Sequence, residues 1–160
     1  MKNKKLFRIV AIIGIAGLLT GGGVVLYMFN KPQRDVQSAR TDYFLSSSQI
    51  VEEYLSDNAA ANQKYLAADG DSKILEIAGE VNRISENFNG QKVVLLKGYQ
   101  DKAGVSATFT PESNDNLDGI MVGQTITIKG VIRSGASFDE DLGLYENVIL
   151  DKSDIVRKQN

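Results

Sequence analysis

Residues 9–29, IVAIIGIAGLLTGGGVVLYMF, contain no charged side chain, and the preceding MKNKKLFR carries four positive charges and no negative one. At about 1.5 Å of rise per residue, a helix of this length spans about 31 Å, the thickness of a bilayer's hydrocarbon core. A helix satisfies its own backbone polar groups, as that core demands, and glycine is tolerated there. The run therefore predicts a transmembrane helix from Ile9 to Phe29. Lys2, Lys4, Lys5 and Arg8 outnumber Lys31 and Arg34, so the N-terminus is expected in the cytoplasm and everything after Lys31 on the far side. The alternative is a cleaved signal peptide, with Ile9–Leu19 as its apolar core and Thr20-Gly21-Gly22-Gly23 as the cleavage region. The apolar continuation Val24–Phe29 argues for a retained anchor. Gly17 and Gly21 form a GxxxG through which two such helices can pair into a homo-oligomer, although glycine is common in membrane segments without pairing.

The charge balance divides at the same point. Residues 1–34 hold six of the 18 basic side chains and none of the 20 acidic ones, which leaves 12 basic against 20 acidic and a net charge of −8 for the remainder. An acidic domain is poorly suited to phosphate backbones, where affinity comes from clustered Lys and Arg. The chain has no Cys and no His. That removes disulfides, thiol chemistry, a lipidated-cysteine anchor, the commonest metal ligand and every Ser-His or Cys-His nucleophile pair. No enzyme activity and no cofactor or metal is expected.

The segment 31–45 reads as a linker broken by Pro32. Residues 46–69 then read as one amphipathic helix: Ser46 and Gln49 have capping-box spacing, and Ile50, Val51, Tyr54, Leu55, Tyr65 and Leu66 recur at helical intervals up to Gly70. From Lys73 the period becomes strand-like. Strands are expected over 74–84, with Gly79 marking a bulge or bend, and over 91–97 after the hairpin signal Asn89-Gly90. Further strands follow at 104–110, 124–132 and 144–150. A connector at 112–123, an acidic loop at 133–143 and a polar tail at 152–160 complete the chain. The order is an N-terminal transmembrane helix, then an α+β domain in which an amphipathic helix precedes five strands. Five short strands with a break after the third match an OB-fold β-barrel over 73–151.

On these residues the chain resembles the tRNA_anti-like OB-fold family of bacteria. The resemblance spans roughly residues 39–151 and is carried by Ala61-Asn62-Gln63-Lys64-Tyr65-Leu66, Ile77-Ala78-Gly79-Glu80-Val81, Val122-Gly123-Gln124-Thr125-Ile126-Thr127-Ile128-Lys129-Gly130 and Val148-Ile149-Leu150-Asp151. It implies an OB barrel in a small envelope protein; the apolar run and its flanking charges place that protein at the bacterial inner membrane with its C-terminal domain periplasmic. It implies no chemistry, because activity does not travel with a fold.

OB domains bind through the face of strands two and three and the loops beside it. Here that surface offers Phe88, Lys92, Tyr99, Ser106, Thr108 and Phe138 as candidate contacts, with Lys97 and Lys102 nearby. The acids Asp139, Glu140 and Asp141 in the last loop oppose nucleic acid, which makes an envelope protein, peptide or glycan the expected partner and single-stranded RNA or DNA the alternative. The plainer account of these residues is a solvated sheet edge. Asn114-Asp115-Asn116-Leu117-Asp118-Gly119 imitates the start of a calcium loop, but Asn114 replaces the first Asp and Thr125 the closing Glu, so a polar turn is expected. Glu52 and Glu53 are sequence neighbours that do not face one another on a helix, and Tyr54 and Tyr65 are expected in the core.

Overall fold

The structure is a computed structural model that describes Gly22 and residues 35–68 and 71–157. The expected membrane helix, its GxxxG pair Gly17 and Gly21, and the flanking positive charges lie outside the described residues. No helix among the described residues is long and apolar enough to cross a membrane.

The elements are β1 (Tyr43–Ser46), α1 (Ser47–Ser56), α2 (Asn58–Tyr65), β2 (Ile74–Glu86), β3 (Lys92–Leu96), β4 (Val105–Phe109), a 3-10 turn (Asn114–Leu117), β5 (Thr125–Ser134), β6 (Ser137–Asp139), β7 (Leu144–Glu146) and β8 (Val148–Ile155). Strands β2, β3, β4, β8 and β5 hydrogen-bond in that order, and β5 pairs back onto β2, which closes a five-stranded OB-like barrel. All pairs within the barrel are antiparallel except β4 with β8. Closure leaves the barrel without a free edge. Ile77, Val81, Val94, Leu96, Val105, Phe109, Ile128, Ile132 and Leu150 are fully buried and form its interior.

The capping box forms as the spacing predicts: the Ser46 hydroxyl accepts the Gln49 N–H at 3.1 Å, and the Gln49 amide oxygen accepts the Ser46 N–H at 2.8 Å. The single helix expected over 46–69 is instead two. Asp57 takes extended dihedrals, ends α1, and caps α2 by accepting the Ala60 N–H at 2.9 Å. Aspartate competes for backbone donors and is better placed at a helix start than inside one. Helix α2 then stops at Tyr65, because Leu66 is already extended and the Lys73 N–H donates to the Tyr65 carbonyl at 2.9 Å.

Three other departures are local. The segment expected to be a linker contains β1, which lies parallel to β2, and a turn at 35–39 fastened to the barrel. In that turn Gln37 Nε2 donates to the carbonyls of Lys129 and Lys152, at 3.2 and 2.8 Å, while the Lys129 ammonium donates to the carbonyls of Gln37 and Ala39. Val36 is buried with Ile74 and Val131. The last strand expected at 144–150 splits at Asn147: its first half pairs with β6, and its second half continues through Ile155 into the supposed tail. Gly79 keeps an unbroken register with Ile126, and the bulge falls between Val81 and Arg83. Gly79 is needed for a different reason, since a Cβ there would lie 2.6 Å from Ser47 Oγ at the start of α1.

Gly135 imposes the tightest of these fits. A Cβ at that position would stand 1.8 Å from the ring of Tyr54, so the ring lies directly on the backbone between β5 and β6. Gly135→Ala is therefore expected to destabilise the fold by roughly 1–3 kcal/mol, the usual cost of overpacking a filled core, which urea denaturation measures. A loss below about 0.5 kcal/mol would show that α1 retreats from the barrel without cost.

Candidate binding groove

The expected contact residues separate into four groups. Ser106 and Thr108 lie on the outward face of β4, opposite Leu95 and Val93 of β3, and Ser106 also pairs with Ile149 of β8. Phe88 and Tyr99 are fully exposed, one at the tip of the β2–β3 hairpin and one in the turn before β4. Lys92 is committed to structure: its N–H donates to Asn114 Oδ1 at 2.8 Å, and its ammonium pairs with Asp118 at 2.9 Å. The calcium-like stretch is engaged in the same way. Asn114 Nδ2 donates to the Gly90 carbonyl at 2.8 Å, and Asn116 Nδ2 donates to Asp154 at 2.9 Å, so these side chains tie the 3-10 turn to its neighbours.

Phe138 lies elsewhere, and its neighbours are residues that a loop reading of 133–143 hides. It pairs with Tyr145 across the β6–β7 hairpin, with ring centroids 4.7 Å apart and a tilt of 48°. The two rings face Tyr54, Leu55 and Asn58 of the helical layer across a groove of about 450 Å³, with Lys102 at its rim. The Lys102 ammonium stands 5.6 Å from the Tyr145 ring centroid, a cation–π distance. A second groove of about 460 Å³ continues along α1 and shares Leu55 and Lys102 with the first. Its walls are Val51, Glu52 and Ser56 on the helix and Gln100 and Asp101 on the turn opposite. Ser137-Phe138-Asp139 and Leu144-Tyr145-Glu146, two short segments each centred on an aromatic residue, with a positive-φ Gly143 at the turn, were the available hairpin signal.

The walls are held by polar contacts. Asp101 accepts the Ser48 hydroxyl and the Gly98 N–H, both at 2.8 Å, which fixes the turn against α1. Asn58 donates to the Ala136 carbonyl at 3.2 Å, and the Ser137 hydroxyl donates to Glu146 at 2.6 Å. At the acidic hairpin tip, Asp139 accepts the Leu142 N–H at 2.9 Å. Behind the groove, Glu53 accepts from both the Lys64 ammonium and the Tyr65 hydroxyl at 2.8 Å, joining α1 to α2. The hydrogen bond from Lys64, with that from Tyr65, holds the Glu53 carboxyl below its usual range. Tyr65 is raised, mainly by burial. Burial, with Tyr65 and Glu53 nearby, pushes Tyr54 up to about 12. The Tyr54 hydroxyl is buried and has no hydrogen-bond partner among the described residues.

The model of the family described as tRNA_anti-like matches residues 1–141 of this chain. No curated protein matches it. Among solved structures it is similar to the crystal structure of a proposed nucleic acid-binding lipoprotein from Klebsiella pneumoniae subsp. pneumoniae MGH 78578. That match has 17% identity and a TM-score of 0.51, and covers 79% of this chain and 100% of the other. At that identity the likeness is one of fold.

Glu53→Ala strands the buried Tyr65 hydroxyl and is expected to cost about 1–2 kcal/mol, a figure already discounted for a half-exposed ion pair. Glu53→Gln retains an acceptor and costs less. Because the folded pKa of Glu53 is lowered, its stabilisation is full above the ordinary carboxylate value and is lost as pH falls through the folded value. Denaturation of wild type and Glu53→Gln at pH 7 and pH 3 should show the gap between them closing at low pH. Tyr54→Phe removes a hydroxyl with no partner, so it is expected to leave stability unchanged or raise it by up to about 1 kcal/mol. It should also remove a tyrosinate absorbance step near pH 12. A substantial loss of stability would mean that the hydroxyl is bonded.

Proposed function

This chain belongs to the tRNA_anti-like family, and on that premise we propose that it is a non-enzymatic binding module, an OB barrel anchored by residues 9–29 and displayed outside the bacterial cytoplasmic membrane. Its site is the groove between α1 and the β6–β7 hairpin. The observation that carries this reading is the convergence there of two packed rings, Phe138 and Tyr145, with the Lys102 ammonium over a preformed depression. Ligand sites are typically concave, about 300–1,000 Å³, apolar with a few placed polar groups, and largely preformed. The absence of His and Cys from the sequence agrees with binding rather than catalysis.

The Klebsiella structure, proposed to be a nucleic acid-binding lipoprotein, motivates a second reading. Two features weigh against carrying nucleic-acid binding to this chain. Lys92 is spent on Asp118, and Asp139, Glu140 and Asp141 occupy the loop that would meet a phosphate backbone.

A photo-crosslinking residue at position 138, compared with one at position 108 on the sheet face, distinguishes the surfaces in intact membranes. Capture of an envelope component is expected from 138 and not from 108, and Tyr145→Ala should reduce it about tenfold, the effect of losing one aromatic anchor. Capture from 108 alone, or salt-sensitive capture of RNA or DNA, would refute the assignment. A reporter fused after Asn160 should be active only outside the cytoplasm.

A further inference from the structure

We infer that the two joined grooves along α1 form one site for a short, uncharged oligosaccharide, with the Tyr54 hydroxyl donating a hydrogen bond to it; this rests on the binding-module reading and names its ligand. The shape is the first reason. The grooves, about 450 and 460 Å³, meet at Leu55 and Lys102, so the depression is elongated and suits a chain of several units rather than one compact molecule.

The chemistry of the walls is the second reason. One wall is α1, whose backbone is committed to its own helix. A bound peptide recognised by strand addition needs free main-chain donors and acceptors, and this wall has none to offer. It presents side chains instead: Ser56 and Glu52 on the helix, Gln100 and Lys102 opposite. Hydroxyl, amide, carboxylate and ammonium groups together offer the donors and acceptors that a polyol's hydroxyls require. The Phe138 and Tyr145 rings supply apolar surface for the C–H faces of pyranose rings. An anionic polymer is disfavoured by Glu52 beside the groove and Glu146 behind Ser137. Lys102 forms no ion pair among the described residues and serves both grooves.

The third reason is an unfilled valence. Tyr54 borders the first groove, is 1% exposed, and has a hydroxyl with no partner among the described residues. A buried donor left in this state destabilises the free protein, and a ligand oxygen that displaces the atoms covering it would recover that loss.

The test uses the full chain in nanodiscs, which avoids detergents with sugar headgroups. Cellotetraose and N-acetylated chitotetraose are the probes, read by saturation-transfer NMR and calorimetry. At least one is expected to bind. Gln100→Ala and Lys102→Ala, both on exposed side chains and one of them confined to the second groove, should each weaken it roughly 3- to 10-fold, the loss of one hydrogen bond. Tyr54→Phe should weaken it similarly while leaving the free protein no less stable. Thr108→Ala on the sheet face should have no effect. The inference is overturned if neither sugar binds, or if binding survives all three groove variants. If neither sugar binds while position 138 still captures a protein in a Tyr145-dependent way, the oligosaccharide assignment fails and the binding-module reading stands.

Discussion

The architecture depends on β2 pairing with different strands along its length. Residues Ile74–Glu80 are bonded to β5, and Val81–Glu86 to β3, with a register shift at the changeover. A strand of this length can close a barrel only by bending, and the extra residue between Val81 and Arg83 provides the bend. Once β2 is curved, its first half is also open to β1, which lies parallel along it. The chain leaving β1 enters α1 directly at the Ser46 cap, and α1 is seated on the barrel where Gly79 allows close approach. The groove beside α1 follows from this sequence of constraints, because its helical wall is fixed through β2.

The same view explains why two buried tyrosines matter more than their hydrophobic area suggests. Tyr54 rests on Gly135 and Tyr65 reaches Glu53, while Tyr43 packs edge-on against Tyr65 at 5.3 Å between ring centroids. Together they attach strand β1, both helices and the backbone that leads into the β6–β7 hairpin. The helical layer and the hairpin are far apart in sequence, so the groove they enclose exists only in the folded state.

Much of the fold was legible locally. The Ser46–Gln49 spacing predicted its capping box, Asn89-Gly90 predicted the β2–β3 turn, and period-two alternation predicted the barrel strands. What escaped was set by tertiary partners. Strand β1 is four residues long and has no turn of its own to announce it. Asp57 interrupts a run whose apolar spacing otherwise remains helical. The β6–β7 hairpin was hidden because Asp139, Glu140 and Asp141 dominate the composition of its tip. Phe138 was singled out on the premise of the sheet face, whereas it stands on the β6–β7 hairpin. Its neighbours Tyr145, Leu55 and Lys102 could not be joined to it without knowing where α1 docks. Lys92 illustrates the reverse case: a cation that looks available in sequence is consumed by a carboxylate 26 residues away.

The turn at 35–39 has a mechanical meaning. A pull entering the barrel at Asp35 does not begin by peeling β1 from β2 one bond at a time. It meets Gln37 bonded to both β5 and β8, and Lys129 gripping the turn's carbonyls in return. Those bonds join the turn to two neighbouring strands at once, with Val36 wedged beside them. The load is therefore shared between two adjacent strands rather than carried by one. A barrel attached in this way can transmit tension on its N-terminal side to β5 and β8 before its outermost strand is lost.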